Sequence, residues 1–386
     1  MQDFTRELDA LASQSLLRTR RVVDGPQGPL LQVDGHDELS FCSNDYLGLA
    51  NHPQLIAAAA EALQRYGVGA AASPLISGHS RAHETLEAEL AAFVGMSSAL
   101  VFGNGYMANL GVAAALVGKG DTVVVDRLAH ASLIDGARLS GASLKVFPHN
   151  DVSRLEQVLS RCSSPRKLVL TDAVFSMDGD LAPLAELAAV CARHGAWLLV
   201  DDAHGLGVLG PQGRGSLALA GVQAPHVLLM GTLGKAAGVA GAFVAGDAGV
   251  LAWILQRART YMFSTAHPPA LAAATSASLR LIAREEWRRA HLQVLAKQLR
   301  SGLAGLPWTL LPSPTAIQPL IVGDNAAARA LSAALRVRGI WVPAICPPTV
   351  PKGTARLRIS LSALHTPADV ARLVAALRSL AQGESA

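Results

Sequence analysis

Lysine is scarce in this chain of 386 residues: of 33 cationic side chains only Lys119, Lys145, Lys167, Lys235, Lys297 and Lys352 are lysines. Cysteine is scarce as well. The four, Cys42, Cys162, Cys191 and Cys346, lie far apart with no CxxC and no His/Cys cluster at metal spacing, which points to a reducing compartment and no metal site. Charged residues make up 16% of the chain, and the net charge of +4 comes from scattered arginines. Without a basic run to follow a phosphate backbone, no nucleic-acid partner is expected. No apolar run reaches membrane-spanning length, and the N-terminal MQDFTRELDALASQSLLRTRR has acidic residues but no signal-peptide core. The expectation is a soluble, cytoplasmic protein without a membrane partner.

Hydrophobic residues make up 51% of the chain, enough for a large core in one large and one smaller domain. Phe4, Leu8 and Leu11 recur at helical spacing and predict an amphipathic helix over 3–17, ending in Arg18, Arg20 and Arg21. A small hairpin follows. Pro53 starts a helix to about Tyr66, and Ser80 caps another carrying His83 and Glu84. From Ala99 on, the runs ALVF, TVVVD, SLKVF, KLVLTD, AWLLVD, HVLLMG and GAFVAG alternate with helical stretches. Continuous apolar strands of this kind are buried on both faces, so the fold class is α/β, a mostly parallel sheet of seven strands with helices on both sides. The expected domains are an N-terminal helix and hairpin over 1–50, a large α/β domain over 51–265 and a small α+β domain over 266–386.

In an open parallel sheet the ligand lies beyond the carboxyl ends of the strands. The residues there are Gly103-Asn104-Gly105-Tyr106, Arg127 to His130, Val174 to Asp180 with Ser176, Asp201 to His204, and Thr232 with Lys235. Each alone reads as a turn or a cap. Together they supply a helix start suited to a phosphate, two histidines, hydroxyls, a carboxylate and one lysine in a glycine-rich turn. A desolvated lysine there can form a Schiff base with a carbonyl. Pyridoxal phosphate needs this set: an amine for its aldehyde, a carboxylate for its ring nitrogen and N–H donors for its phosphate. The GxGxxG of Gly205 to Gly210 is a decoy. A dinucleotide fingerprint must open a helix and meet an acidic residue about 20 positions on, whereas Pro211 follows here and no Asp or Glu occurs between Asp202 and Asp247.

The motifs SNDYLGL (43–49), FSMDGD (175–180), DDAHGLGVLG (201–210) and TLGK (232–235), in this order, resemble the α-oxoamine synthases of the fold-type-I pyridoxal enzymes, over nearly the whole chain. The resemblance implies that Lys235 carries the cofactor and moves the substrate's α-proton, that Asp201 bonds the ring nitrogen, and that His130 stacks on the ring. It places His204 and Ser176 on the side of the phenolic oxygen, with Gly105, Tyr106 and Thr232 around the cofactor and its phosphate. Arg358 matches the arginine that pairs with the amino-acid carboxylate, Asn44 lies near that carboxylate, and Arg18 and Thr349 match positions on the acyl side. The family also implies a homodimer with shared active sites, in which Ser264 and Thr265 reach the neighbour's phosphate.

Within that family AIQPLIVGDN (316–325) and PPTVPKGTARLRIS (347–360) are similar to the member that joins L-alanine to a pimeloyl thioester, with coenzyme A or an acyl carrier protein as the carrier. A sister enzyme acting on glycine and acetyl-CoA is the near alternative, and a non-catalytic interaction protein on the same fold the distant one. Two stretches depart from the family pattern, GAAAS (69–73) and TLGKAAGVAGA, where alanines replace glycines. They fit if the φ angles there are negative.

Overall fold

The structure is a computed structural model, and it describes residues 3–383. Contacts divide the chain into two compact units. The larger comprises Leu49–Ser176 and Leu181–Arg289; the smaller takes the described residues through Gly48, then Met177–Asp180, and those from Ala290 on.

The larger unit is built on β1 (Ser98–Phe102), β2 (Thr122–Asp126), β3 (Ser143–Phe147), β4 (Lys167–Asp172), β5 (Trp197–Asp201), β6 (Val227–Thr232) and β7 (Ala242–Gly246). They form one sheet in the order β1-β7-β6-β5-β4-β2-β3. Strand β7 runs antiparallel to both neighbours and the other pairings are parallel, so six strands end at the same edge. The apolar runs expected to be strands are these seven.

Both faces are covered. Val123, Leu168, Leu170 and Leu199 face a cluster with Ala108 and Val112 of α1 (Gly105–Leu116) and Leu133 of α2 (Ala131–Ser140). Val124, Val169, Val200 and Leu229 face Leu155, Leu187 and Cys191 on the other side. Alternate residues of a strand point to opposite faces, so Val123 and Val124 belong to different cores. Each such side chain contributes roughly 1.5–3 kcal/mol by leaving water. The helix Pro53–Tyr66 forms as expected, opened by proline and stopped at Gly67. Ser80 and His83 form a capping box for Arg81–Val94. The decoy glycines lie in consecutive turns leading to a short 3₁₀ turn at Pro211–Gly213, and no long helix opens there.

In the smaller unit the hairpin Leu30–Val33 and His36–Ser40 turns at Asp34-Gly35, both left-handed at φ 51° and 83°. Aspartate and glycine tolerate that conformation, and it matches the twist of the strands. A second sheet is centred on the antiparallel pair Ile317–Gly323 and Ala355–Ser360, the latter buried along its length. The last helix, Pro367–Ala381, is capped by Thr366 and Asp369.

Two expectations are corrected. The N-terminal helix spans Thr5–Ser13 only, because Ser15 adopts φ 55° and the N–H groups of Leu16 and Leu17 fold back onto the carbonyl of Leu11. Arg18 therefore lies beyond the helix, on an irregular segment. The alanine replacements also differ among themselves. Around Lys235 the positive φ angles fall on Gly238 and Gly241, and Ala236, Ala237 and Ala240 avoid them. Ala71, in contrast, sits at φ 62°, the centre of a three-residue turn closed by Ala72 N–H to the carbonyl of Ala70 at 2.8 Å. A side chain in that conformation costs about 1–2 kcal/mol. Among the described residues no helix is long and apolar enough to cross a membrane.

Candidate active site

The ends of β1, β2, β4, β5 and β6 surround a cavity of about 200 Å³ in the larger unit. It is lined by seven of the residues singled out from sequence: Gly105, Tyr106, His130, Asp201, His204, Thr232 and Lys235. Five separate crossings of the sheet bring them together, because each lies at or just beyond the carboxyl end of a parallel strand.

Lys235 lies in the turn between β6 and β7, and its Nζ is 2.9 Å from Nε2 of His204 in the loop after β5. Asp201, the last residue of β5, is 3% exposed. Its Oδ1 accepts from the N–H of Ala203 at 3.0 Å and its Oδ2 from Nδ2 of Asn109 at 2.7 Å. These two donors fix the plane of the carboxylate at the cavity wall. Asp202 turns the other way. It accepts from the N–H and the hydroxyl of Ser216 at 2.7 and 2.5 Å, and burial pushes its carboxyl up to about 7. Its carboxylate also fills the space where a Cβ on Gly205 or Gly215 would stand, so the first glycine of the decoy motif and Gly215 beyond it make room for Asp202.

His130 caps α2, and its backbone N–H donates to Asp172 Oδ2 at 2.7 Å. Burial, reinforced by the charge of Lys235, holds its imidazole below the ordinary histidine range. Burial, and then the charge of Asp201, drives the Asp172 carboxyl well above the carboxylate range. Asn104 caps α1 by accepting from Met107 N–H at 2.9 Å, and the first-turn N–H groups of Gly105 and Tyr106 belong to the positive end of that helix. The Tyr106 hydroxyl donates to Asp135. Thr232 donates to the carbonyl of Gly241 at 3.2 Å.

Other candidates lie elsewhere. Ser176 follows β4 in a turn and is not among the cavity-lining residues; Ser264 and Thr265, partly and largely exposed, lie on the segment after the short helix Arg259–Met262 and do not line it either. In the smaller unit Arg358 is buried, and its guanidinium donates to Asn44 Oδ1 at 3.2 Å from both terminal nitrogens, to Ser360 Oγ at 3.0 Å and to the Tyr46 hydroxyl at 3.3 Å. Asn44 and Arg358 are thus together. Arg18 is exposed and borders a wide groove of about 1130 Å³ with Asp34 and Arg336, while Thr349 is exposed on the turn after Pro347-Pro348.

Sequence reasoning missed Asn109, Ser132 and Asp172. Asn109 left a signal, a lone amide inside the apolar run of α1; Ser132, two residues after His130, left only a local one. Asp172 reads in sequence as the polar end of β4 and acquires its role from the backbone of α2.

These residues fit pyridoxal phosphate. The cavity suits a single substituted ring, one buried carboxylate with two donors behind it stands at its wall, a lysine amine reaches it, and a helix start faces it.

The family model for aminotransferases of class I and II matches residues 36–377. The 8-amino-7-oxononanoate synthase of Herminiimonas arsenicoxydans is 58% identical over 98% of this chain and 99% of its own length. A serine palmitoyltransferase structure with its PLP internal aldimine superposes with a TM-score of 0.93 at 33% identity, covering 99% of each chain. The 8-amino-7-oxononanoate synthase of Francisella tularensis superposes with a TM-score of 0.78 at 27% identity, over 90% of this chain and 98% of that one. With the motifs, the sheet order and the lysine-centred cavity in agreement with these likenesses, the chain belongs to the class I and II aminotransferase family of fold-type-I pyridoxal-phosphate enzymes, in its α-oxoamine synthase branch.

Proposed function

We propose that this chain condenses L-alanine with a pimeloyl thioester, releasing CO₂ and the free thiol and yielding 8-amino-7-oxononanoate for biotin synthesis. The observation that carries the reading is the 2.9 Å contact of Lys235 with His204 in the cavity walled by Asp201, in a chain whose relatives bear that enzyme's name.

Pyridoxal phosphate, when bound, supplies an electron sink for negative charge at the amino acid's α-carbon. Lys235 Nζ would hold its aldehyde carbon and would serve as the base for the α-proton of L-alanine. His204 Nε2 is within reach to share a proton with Nζ and to set where Nζ waits. Asp201 would face the ring nitrogen and keep it protonated through a charge-assisted hydrogen bond of about 1.5–3 kcal/mol. His130, kept neutral by burial, would lie against the ring without adding a positive charge. Gly105, Tyr106 and Thr232 would take the phosphate, and Ser176 the side of the phenolic oxygen. Arg358, braced by Asn44, Tyr46 and Ser360, presents a rigid guanidinium suited to the α-carboxylate. Arg18 and Thr349 would serve the acyl chain, Arg18 pairing with its distal carboxylate.

The working form is a homodimer with shared sites, in which Ser264 and Thr265 serve the neighbour's phosphate; the exposure of Thr265 supports this. The four cysteines, all free thiols, support a cytoplasmic location. Thiol release tests the activity: L-alanine with pimeloyl-CoA should exceed glycine with acetyl-CoA by at least about tenfold in kcat/KM, roughly 1.4 kcal/mol of discrimination. The reverse preference would move the protein to the sister activity. Pimeloyl acyl carrier protein in a parallel assay identifies the carrier, and a strict monomer in analytical ultracentrifugation would end the shared-site reading.

A further inference from the structure

The carboxylate of Asp201 and the imidazole of His130 belong to different strand ends, yet one continuous hydrogen-bonded bridge joins them. Asn109 Nδ2 donates one hydrogen to Asp201 Oδ2 at 2.7 Å and the other to Ser132 Oγ at 2.9 Å. Ser132 Oγ in turn lies 2.7 Å from His130 Nδ1, and the backbone N–H of Ser132 points at the same nitrogen from 3.3 Å. The direction of every bond follows. A carboxylate can only accept, so the nitrogen side of the Asn109 amide must face Asp201. With Asn109 donating to it and an N–H already occupying His130 Nδ1, the Ser132 hydroxyl donates to Nδ1, and the neutral imidazole carries its proton on Nε2. Asn109 and Ser132 are both fully buried, so nothing from solvent competes for these bonds. Asn109 Oδ1 is buried with no partner among the described residues: the amide gives up an acceptor's satisfaction to place both hydrogens.

We propose that Asn109 and Ser132 are positioning residues that hold Asp201 and His130 as one unit, fixing the carboxylate plane of the first and the tautomer of the second. The proposal rests on the pyridoxal-phosphate reading of the cavity. A donor bonded to the charged carboxylate lowers its appetite for a proton, so a proton shared with an opposing ring nitrogen stays on the ring. Removing Asn109 lets Asp201 take more of that proton, the ring draws electrons less strongly, and the nitrogen of Lys235 joined to it holds its own proton more tightly. Removing Ser132 frees Asn109 and His130 and weakens the same arrangement from its far end. Buried polar chains of this kind act as units, so the two lesions should not add.

The test is a pH titration of the visible absorption band of the holoenzyme, in the wild type, Asn109→Ala, Ser132→Ala, Ser132→Thr and the double alanine variant, with folding checked by circular dichroism. Asn109→Ala should raise the midpoint by about half a unit or more, Ser132→Ala should raise it by less, and the double variant should move it no further than Asn109→Ala alone. Ser132→Thr, which keeps the hydroxyl, should restore the wild-type midpoint. With L-alanine, kcat of Asn109→Ala should drop about tenfold while KM changes less than about threefold. Folded alanine variants that bind the cofactor with an unmoved midpoint would overturn the proposal. If Asn109→Ala does not fold, Ser132→Ala decides it alone. A wild-type protein without a visible band would instead overturn the cofactor reading, which keeps the two failures apart.

Discussion

Asp201 and Asp202 are adjacent in the chain and serve opposite sides of the same turn: Asp201 meets Asn109 at the cavity wall at 2.7 Å, and Asp202 meets the hydroxyl of Ser216 at 2.5 Å, away from it. Substitution to asparagine keeps the size of each and removes the charge. Asp201→Asn should still bind cofactor and lose at least about a hundredfold in kcat at saturating substrate, because a neutral amide does not keep the ring nitrogen protonated. Asp202→Asn should retain most of kcat and lose about 1–3 kcal/mol of stability in urea unfolding, since Ser216 forfeits an acceptor. Equal kcat losses in the two variants would contradict this division of labour.

Lys235 and His204 give the second expectation. Lys235→Ala should fold with an unchanged circular dichroism spectrum and lose the visible band on dialysis. Borohydride reduction of the wild-type holoenzyme followed by peptide mapping should place the label on Lys235; label on any other lysine would displace it from the centre of the site.

Ala71 predicts a gain of stability. At φ 62° glycine avoids the steric cost of about 1–2 kcal/mol, offset in part by its greater freedom in the unfolded chain. Ala71→Gly should therefore stabilise the protein by about 0.5–1 kcal/mol, read as a rise in the urea midpoint at constant slope. A lowered midpoint would mean that the turn does not hold the alanine in this conformation.

His267 makes stability depend on pH. The residue is 8% exposed, its Nε2 has no partner among the described residues, and burial, reinforced by His83, lowers its folded-state value to about 4. A histidine lowered in this way is bound by a proton more readily when unfolded, so its contribution is complete above the ordinary value near 6.5 and is lost as pH falls toward 4. Between pH 7 and pH 5 the wild type should lose about 2 kcal/mol relative to His267→Gln, which does not titrate. Parallel stability curves for the two proteins over that range would refute the assignment.

Much of the large sheet and its lysine was legible in the sequence because both depend on local pattern. Runs such as TVVVD and KLVLTD are buried on both faces and tolerate no other placement, and a strand followed by a turn puts the turn's residues at the sheet edge. The N-terminal helix was less legible: the apolar spacing of Phe4, Leu8 and Leu11 carries no stop signal of its own, whereas Ser15 leaves the helical conformation and Arg18 is carried off on a different segment.

By itself, then, the sequence determined the class of fold, the order of its strands along the chain and the set of chemically able groups at their ends, since periodicity and turn chemistry act between near neighbours. Tertiary structure alone decided which able groups meet and which are kept apart. Successive residues at a strand end point in opposite directions, so only the packed loop separates Asp201 from Asp202. Asn109 acquires its place from Ser132 and Asp201, 23 and 92 positions away, and no local pattern encodes its distances of 2.9 and 2.7 Å to them. Ala71 takes a conformation that its own chemistry disfavours, beside Ala72, whose carbonyl accepts from the N–H of Ala266 at 2.9 Å; a contact across that span exists only after the chain has folded.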